Sequence, residues 1–200
     1  ESILNKKDEI QILKGWKVLD LGCGGGIASE ALARMGAKVD GIDPAKELID
    51  VAKNHAILSG LDIKYQVSTL EEIVRKKKKY NLITAFEVIE HVDDVQSFIK
   101  SLNQCMLPRG IIIFSTINRT LTSLMLAKIA AEYIFKIVPK DTHNWGKFVR
   151  PSEIAEALSS SGFTVNRIEG LIPKLGPGYI EWKRGKNNKV NYIISAVYKS

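Results

Sequence analysis

A glycine-rich segment near the amino terminus constrains the fold more than any other feature. Residues 18–26, VLDLGCGGG, lead from an apolar run into a helical pattern that begins at Ile27. Glycines at such a strand-to-helix turn leave the backbone amides unhindered, so a ligand can approach them closely at the start of the helix. The segment therefore predicts a loop that cradles a nucleoside cofactor, although a plain tight turn is the alternative for the glycines alone.

The spacing within the loop narrows the type of cofactor. The dinucleotide fingerprint GxGxxG would require a glycine where Ile27 stands, and the sequence instead fits DxGxGxG beginning at Asp20. Asp43 ends the second apolar run, where a carboxylate can accept hydrogen bonds from both hydroxyls of an adenosine ribose. The pattern argues against NAD or FAD. The cofactor contacts that it predicts are Asp20, Gly22, Gly24, Gly26 and Asp43.

Apolar runs alternate with helical patterns along the chain, which is typical of parallel strands joined by crossover helices. Strands are predicted at 17–21, 38–42, 63–67, 80–86 and 110–116, and helices near 27–35, 45–58 and 94–106. A helix that opens at Pro151 and two further strands near 163–169 and 190–198 complete the pattern. We therefore expect one α/β domain over 1–200, with a mostly parallel seven-stranded sheet, an antiparallel edge strand and a helical insertion at about 118–150.

Charge and cysteine content bear on the partners and the compartment. The chain has 29 basic and 22 acidic residues, a net charge of +7 that favours anionic surfaces such as phospholipid headgroups or nucleic acid. The basic run 75–79 lacks interleaved aromatic residues beyond Tyr80, so we expect a solvated loop and no nucleic-acid partner. Cys23 and Cys105 form no CxxC pair, and no secretory signal is recognisable, which together predict a cytoplasmic location.

A group of polar residues follows the fourth predicted strand, which ends at Phe86. Glu87, Glu90 and His91 would lie at the carboxyl end of a parallel strand, where α/β folds place their chemistry. If the segment is helical, the i,i+3 and i,i+4 spacings allow all three side chains to reach a single ion. Mg²⁺ prefers oxygen ligands and imidazole suits Zn²⁺ better, so the residue types leave the metal open. An ExxEH segment that only packs and positions its neighbours is the alternative.

The predicted helix at 120–138 has a wide apolar face and one narrow polar stripe. Lys128, Glu132 and Lys136 are spaced i, i+4 and i+8, and these charges argue against a helix that spans a membrane. An apolar face flanked by basic residues suits a membrane interface with anionic lipids. A lid helix packed on the domain is the alternative. The flanking basic residues are Arg119, Lys128, Lys136 and Lys140.

Two sets of motifs carry a resemblance to known families. The glycine loop with Asp43 resembles the cofactor site of class I methyltransferases. Seven further motifs between 115 and 192 resemble the bacterial ubiquinone-biosynthesis O-methyltransferases, and the resemblance extends over about 17–199. These motifs are STINR at 115–119, AEYI at 131–134, VPK at 138–140, TH at 142–143, KF at 147–148, Pro151 and VNY at 190–192.

The resemblance implies an activity and its partners. It implies a Rossmann-like class I methyltransferase fold, S-adenosylmethionine as cofactor, and methyl transfer to phenolic hydroxyls of polyprenylated ubiquinone precursors at two separate steps. It further implies peripheral contact with the anionic inner face of a membrane and possible assembly with other ubiquinone-biosynthesis proteins. Methyl transfer to another small-molecule acceptor or to RNA is the alternative.

The resemblance also implies residue roles. Phe86 corresponds to a residue that packs beside the adenine or methionine part of the cofactor. Glu87, Glu90 and His91 resemble the divalent-metal ligands, Mg²⁺ or Zn²⁺, of related eukaryotic enzymes, and Glu87, His91 and His143 are the catalytic candidates. Two features depart from the family: an N-terminal arginine that contacts the cofactor has no recognisable counterpart, and the loop 170–177 is not the longer aromatic version.

Overall fold

The computed structural model describes residues 11–118, 149–176, 179–185 and 191–199. The predicted insertion, including the helix at 120–138 and His143, therefore lies almost entirely outside the described residues. Among the residues that are described, no helix combines the length and the apolar character needed to cross a membrane.

The first half of the chain alternates strands and helices, and it contains one helix, at Leu70–Arg75, that the sequence did not predict. The strands are β1 (Lys17–Leu21), β2 (Lys38–Asp43), β3 (Lys64–Val67), β4 (Tyr80–Phe86) and β5 (Met106–Ile117). The helices are α1 (Ile27–Arg34), α2 (Lys46–Leu58), α3 (Leu70–Arg75) and α4 (Val95–Asn103), with a short 3₁₀ helix at Ile89–His91. The later elements are α5 (Pro151–Ser160), β6 (Phe163–Gly176), β7 (Tyr179–Gly185) and β8 (Asn191–Tyr198).

All strands join one sheet in the order β3-β2-β1-β4-β5-β8-β6-β7. The first five are parallel, and β8 is antiparallel to both of its neighbours, β5 and β6. The α/β fold with a mostly parallel sheet is thus confirmed, but the sheet has eight strands where the sequence predicts seven. The additional strand is β7, which pairs with an extended β6 and forms the antiparallel edge.

The central strands are buried because helices cover both faces of a parallel sheet. Leu19 of β1, Ile83 of β4, and Ile112 and Phe114 of β5 are fully buried. Such continuous apolar strands leave only their ends for polar chemistry. The sheet therefore has two functional edges, and we call them the carboxyl edge, where β1 to β5 end, and the amino edge, where β1 to β4 begin.

The residues that flank the predicted insertion lie at the carboxyl edge. Asn118 follows the end of β5, where Ile117 pairs with Asn191 at the start of β8. On the return, the Tyr192 hydroxyl donates a hydrogen bond of 2.8 Å to the carbonyl oxygen of Val149. The chain thus leaves and re-enters the sheet beside the ends of the parallel strands.

Candidate functional site

The glycine loop connects β1 to α1 at the carboxyl edge. Gly22, Gly24 and Gly26 all have positive φ, at 69°, 51° and 89°. A Cβ atom at Gly22 would clash with Val88, and one at Gly26 would clash with the Tyr65 hydroxyl, whereas one at Gly24 would meet no atom within 4 Å. Gly22 and Gly26 are therefore required by packing. Gly24 faces open space, which fits a ligand lying against its backbone.

Asp43 is held against this loop at the end of β2. Its Oδ2 accepts a hydrogen bond of 3.0 Å from the Gly24 amide, and its Oδ1 accepts one of 2.9 Å from the Ala45 amide. An ionised carboxylate offers about four acceptor positions. Two of them fix the side chain, and the others are left for donors such as the two hydroxyls of a ribose.

Asp20 lies beneath the loop and is buried. Its Oδ2 accepts a hydrogen bond of 2.6 Å from the Ser29 hydroxyl, and its Oδ1 accepts one of 2.7 Å from the Thr84 hydroxyl. Burial raises the pKa of the Asp20 carboxyl above its usual value. Through these bonds Asp20 connects β1 to α1 and β4, an arrangement that agrees with a role in organising the loop.

Glu87 follows β4 in a left-handed conformation, with a φ of 53°, which is unusual for a residue with a side chain. Its Oε1 accepts a hydrogen bond of 2.8 Å from the Ser115 hydroxyl and a longer contact of 3.5 Å from Asn191 Nδ2. Glu87 as a whole residue is exposed, but partial desolvation of its carboxyl group and the neighbouring Glu90 carboxylate together raise the pKa of Glu87 to about 7. Strained backbone of this kind persists where the surroundings hold it, and it is frequent at functional sites.

Glu90 lies beside Glu87 at the carboxyl edge, whereas His91 lies apart from them. Glu90 is buried and accepts a hydrogen bond of 2.9 Å from the Thr116 hydroxyl, whereas His91 is exposed. The segment forms a 3₁₀ helix of three residues rather than the longer helix that would place all three side chains on one face. Among the described residues no three His, Cys, Asp or Glu side chains are grouped closely enough to hold a metal ion. The structure does not bring these three side chains together as a ligand set, and metal binding by Glu87, Glu90 and His91 stays a prediction.

The remaining predicted site residues are placed as follows. Phe86 ends β4 at the carboxyl edge and is half-buried. His143 lies outside the described residues. The carboxyl edge thus brings together Asp20, Asp43, Phe86, Glu87 and Glu90 with the three loop glycines.

Three polar residues of this edge were not predicted as site residues. Ser115, Thr116 and Asn191 appear in the family motifs, but their short polar side chains on predicted strands give no signal of a site. The pairing of β5 with the antiparallel β8 places them beside the two glutamates. Asn191 Oδ1 is buried and accepts no hydrogen bond within the described part of the chain. A buried acceptor of this kind is costly unless a donor reaches it.

Comparisons with known proteins agree with this geometry. The family described as methyltransferase domain matches residues 5–168. A ubiquinone biosynthesis O-methyltransferase from Azorhizobium caulinodans is 41% identical over 182 residues, which are 91% of this chain and 71% of that protein. A protein of the same name from Coxiella burnetii is 41% identical over 181 residues, covering 90% and 76% of the two chains.

Solved structures show the same fold at low sequence identity. Magnesium protoporphyrin IX methyltransferase from Synechocystis with bound SAH has a TM-score of 0.67 at 22% identity, covering 99% of this chain and 80% of that one. A SAM-dependent methyltransferase from Methanosarcina mazei has a TM-score of 0.69 at 17% identity, with coverage of 100% and 98%.

The fold and the loop at its carboxyl edge define an S-adenosylmethionine-dependent methyltransferase of class I. With 41% identity over nine-tenths of its length, the chain belongs to the family of ubiquinone biosynthesis O-methyltransferases. The predicted class of enzyme and its methyl-donor cofactor are thereby confirmed.

Proposed function

We propose that the chain transfers the methyl group of S-adenosylmethionine to a phenolic hydroxyl of a polyprenylated ubiquinone precursor, and that it serves both O-methylation steps. The observation that carries this proposal is the carboxyl edge itself, where Gly24 and Asp43 lie on the same side of the sheet as the polar group around Glu87. The names of the relatives from Azorhizobium and Coxiella support the choice of pathway. Another small-molecule acceptor or RNA is the alternative substrate.

Cofactor binding rests on the residues of the glycine loop. When bound, S-adenosylmethionine supplies a methyl group on a sulfonium sulfur, which an oxygen nucleophile can displace in line. Asp43 would accept hydrogen bonds from the ribose, Gly24 would leave room for the ligand against its backbone, and Asp20 would keep the loop in place through Ser29 and Thr84. We assign Phe86 to the contact beside the adenine or methionine part. Alignment of the two reactants supplies up to roughly 7–11 kcal/mol in reactions of this kind.

The acceptor oxygen must lose its proton before or during transfer. A phenol has a pKa near 10, so ionising it at pH 7 costs about 4 kcal/mol. Glu87, with its pKa raised to about 7, is suited to accept this proton, and solvent then removes it. Asn191, which approaches Glu87 Oε1 through its Nδ2 at 3.5 Å, has a buried Oδ1 with no donor among the described residues. His143 is the second candidate base.

The location and partners belong to the same proposal. We place the protein in the cytoplasm, peripherally at the inner membrane face, with the apolar face predicted for 120–138 in contact with an anionic lipid surface. That segment would then take up the lipid substrate at the edge that holds the cofactor. Assembly with other ubiquinone-biosynthesis proteins would present the substrate in the same place.

The test is transfer of a labelled methyl group from S-adenosylmethionine to a short-prenyl demethylubiquinol, with and without a chelator. Chelator-resistant transfer that Glu87→Gln slows strongly would support the proposed function and the carboxylate base. Loss of transfer on chelation, restored by a divalent ion, would instead support metal binding by Glu87, Glu90 and His91. Absence of transfer with intact cofactor binding would overturn the proposed acceptor.

Two further variants make this test specific. Glu156→Gln removes the same charge from the exposed face of α5 and should leave the rate unchanged. His143→Ala separates the second candidate base from the first. If neither Glu87→Gln nor His143→Ala slows turnover at saturating substrate, both residues are excluded as the base.

A further inference from the structure

A groove lined by lysines lies at the amino edge of the sheet, opposite the cofactor site. It has a volume of about 920 Å³ and is formed by the segments that precede β1, β2, β3 and β4. Seven lysines line it, namely Lys17, Lys38, Lys64 and the four at 76–79. We refer to this feature as the lysine groove. Its volume is in the range that binds small organic ligands in proteins.

The lysine groove carries a net positive charge. The lining contains seven lysines and the two carboxylates of Asp40 and Asp62, which gives it a formal charge of +5, where the whole chain has +7. A concave surface with one sign of charge and protein walls focuses the field and raises the local concentration of counter-ions. The groove is therefore a strongly attractive site for an anion.

One lysine is fixed by the protein, and the others are available. Lys78 donates to Asp40 Oδ2 at 2.8 Å, and the Tyr80 hydroxyl donates to the same oxygen at 2.8 Å. This arrangement neutralises Asp40 and anchors the basic run to β2 and β4. The other six lysine side chains of the groove are exposed, and no carboxylate within the described residues forms an ion pair with them. Six unneutralised ammonium groups repel one another, and a bound polyanion would relieve this repulsion.

The shape of the groove favours a compact ligand. Its floor includes the buried residues Ala37 and Val39, while the lysines stand around it on four separate segments. Lysine acts as a flexible point charge that binds phosphate oxygens without a fixed geometry. Positive charges arranged around a concave groove are better suited to a compact ligand that enters the groove than to a flat partner such as a membrane surface.

We propose that the lysine groove binds the phosphate groups of a soluble polyphosphate anion at a site separate from the cofactor site. Phosphate on a lipid headgroup has the same chemistry, but the position of the groove argues against that source. This choice rests on the proposed function: residues 118 and 149, which flank the predicted insertion, lie at the carboxyl edge, so a membrane that meets the protein at that edge would face away from the groove. The strands between the two edges have five to seven residues in β1 and β4, or roughly 17–23 Å at about 3.3 Å per residue.

The experiment measures binding of inorganic tripolyphosphate to the full chain by calorimetry and by its effect on the Tm. The triple variant Lys38→Gln, Lys64→Gln and Lys77→Gln removes one charge from each of three groove segments and should weaken binding about tenfold or more. The matched control Lys53→Gln, Lys100→Gln and Lys199→Gln removes three exposed charges elsewhere and should change the Kd less than about twofold. Added salt should weaken binding to the unmodified groove.

Vesicles distinguish the two sources of phosphate. Vesicles of phosphatidylglycerol and phosphatidylcholine should bind both triple variants equally, because the proposed groove ligand is soluble. The soluble source would be overturned in favour of lipid if the parent chain did not bind tripolyphosphate and only the groove variant lost binding to vesicles. Equal weakening of tripolyphosphate binding in both triple variants, or no binding to the unmodified chain, would overturn the site. A cooperative thermal transition and unchanged S-adenosylmethionine binding in both triple variants show that they are folded.

Discussion

Gly24 is the residue of the glycine loop whose missing side chain leaves room for a ligand rather than for a neighbouring residue. Gly24→Ala places a Cβ into the space that we assign to the cofactor, where no protein atom lies within 4 Å. The positive φ of 51° costs an alanine roughly 1–2 kcal/mol in stability. We expect the protein to fold and its Kd for S-adenosylmethionine to rise by about tenfold or more, because the added methyl group occupies the cofactor space. Titration calorimetry with the cofactor measures this directly.

Gly60 provides a matched control for this prediction. It also has a positive φ, 64°, and a Cβ added to it would likewise meet no atom within 4 Å. Gly60→Ala should therefore lose a similar amount of stability, and its affinity for the cofactor should be unchanged. If both variants bound S-adenosylmethionine as well as the parent chain, the placement of the cofactor against Gly24 would be wrong.

Glu87 predicts a specific pH dependence of stability. Its pKa is raised from 4.5 to about 7 in the folded chain, so the folded state binds a proton more tightly than the unfolded state. The contribution of Glu87 to stability is then largest at a pH below 4.5, the pKa of the carboxyl group in the unfolded chain, and is lost as the pH rises through about 7. Glu87→Gln removes this contribution, so the Tm difference between about pH 5.5 and about pH 8 should be smaller in the variant.

The same carboxyl group is expected to give a rate of methyl transfer that changes with pH in the opposite direction to stability. As a base it acts only when ionised, so the rate of methyl transfer should rise with pH through about 7 in the parent chain. Glu87→Gln should lose this rise, while Glu156→Gln should keep it. A parent pH profile that is flat between about pH 6 and about pH 8 would contradict the assignment of Glu87 as the base.

At the scale of secondary-structure elements, Asp20 connects a strand to a helix and to the next strand of the sheet. Thr84→Val replaces the hydroxyl that donates to Asp20 Oδ1 with a methyl group of similar size. The buried carboxylate then lacks one of its donors, and we expect a loss of about 1–3 kcal/mol in the free energy of unfolding. Urea denaturation measures this loss. Thr164→Val at an exposed position of β6 is the control and should stay within about 0.5 kcal/mol, and an equal effect of the two would refute the role of the bond.

The sequence predicts strands well where burial of the strand is the cause of its apolar residue pattern. The bounds of β1 and β4 agree with the structure because both are short apolar runs buried on both faces. β7 was missed because its stretch combines Glu181, Lys183 and Arg184 with flanking glycines, and its partner strand β6 determines its conformation. Such long-range pairing leaves no periodic signal in the strand itself.

The parts of the candidate site that are local in sequence were predictable, and the parts that depend on strand pairing were not. The glycine loop and Asp43 form a local pattern with known spacing, and the structure joins them by a hydrogen bond of 3.0 Å. Asn191 and Glu87 are 104 residues apart, so only the topology of the sheet brings them together. The spacing of Glu87, Glu90 and His91 suggested one face of a helix, but the segment forms a 3₁₀ helix in which His91 is exposed. Tertiary contacts with Ser115 and Thr116 determine where the two glutamates lie.

At the scale of the whole molecule, the sheet separates two chemically different edges. The carboxyl edge holds the glycine loop, the glutamate pair and the residues that flank the predicted insertion. The amino edge holds the lysine groove and its net positive charge. Substitutions at sites this far apart usually act independently. Substitutions in the lysine groove are therefore expected to leave the cofactor site unchanged.

This separation predicts which substitutions affect membrane binding. Leu126→Glu together with Ile134→Glu places charges on the apolar face predicted for 120–138, and transferring a charged side chain into the interface opposes binding. We expect this double variant to lose binding to phosphatidylglycerol vesicles in a sedimentation assay, while it keeps its affinity for S-adenosylmethionine. The matched control Glu132→Gln, on the polar stripe of the same predicted helix, should bind vesicles at least as well as the parent chain. Vesicle binding that survives in the double variant would show that the insertion is a lid on the protein rather than a membrane contact.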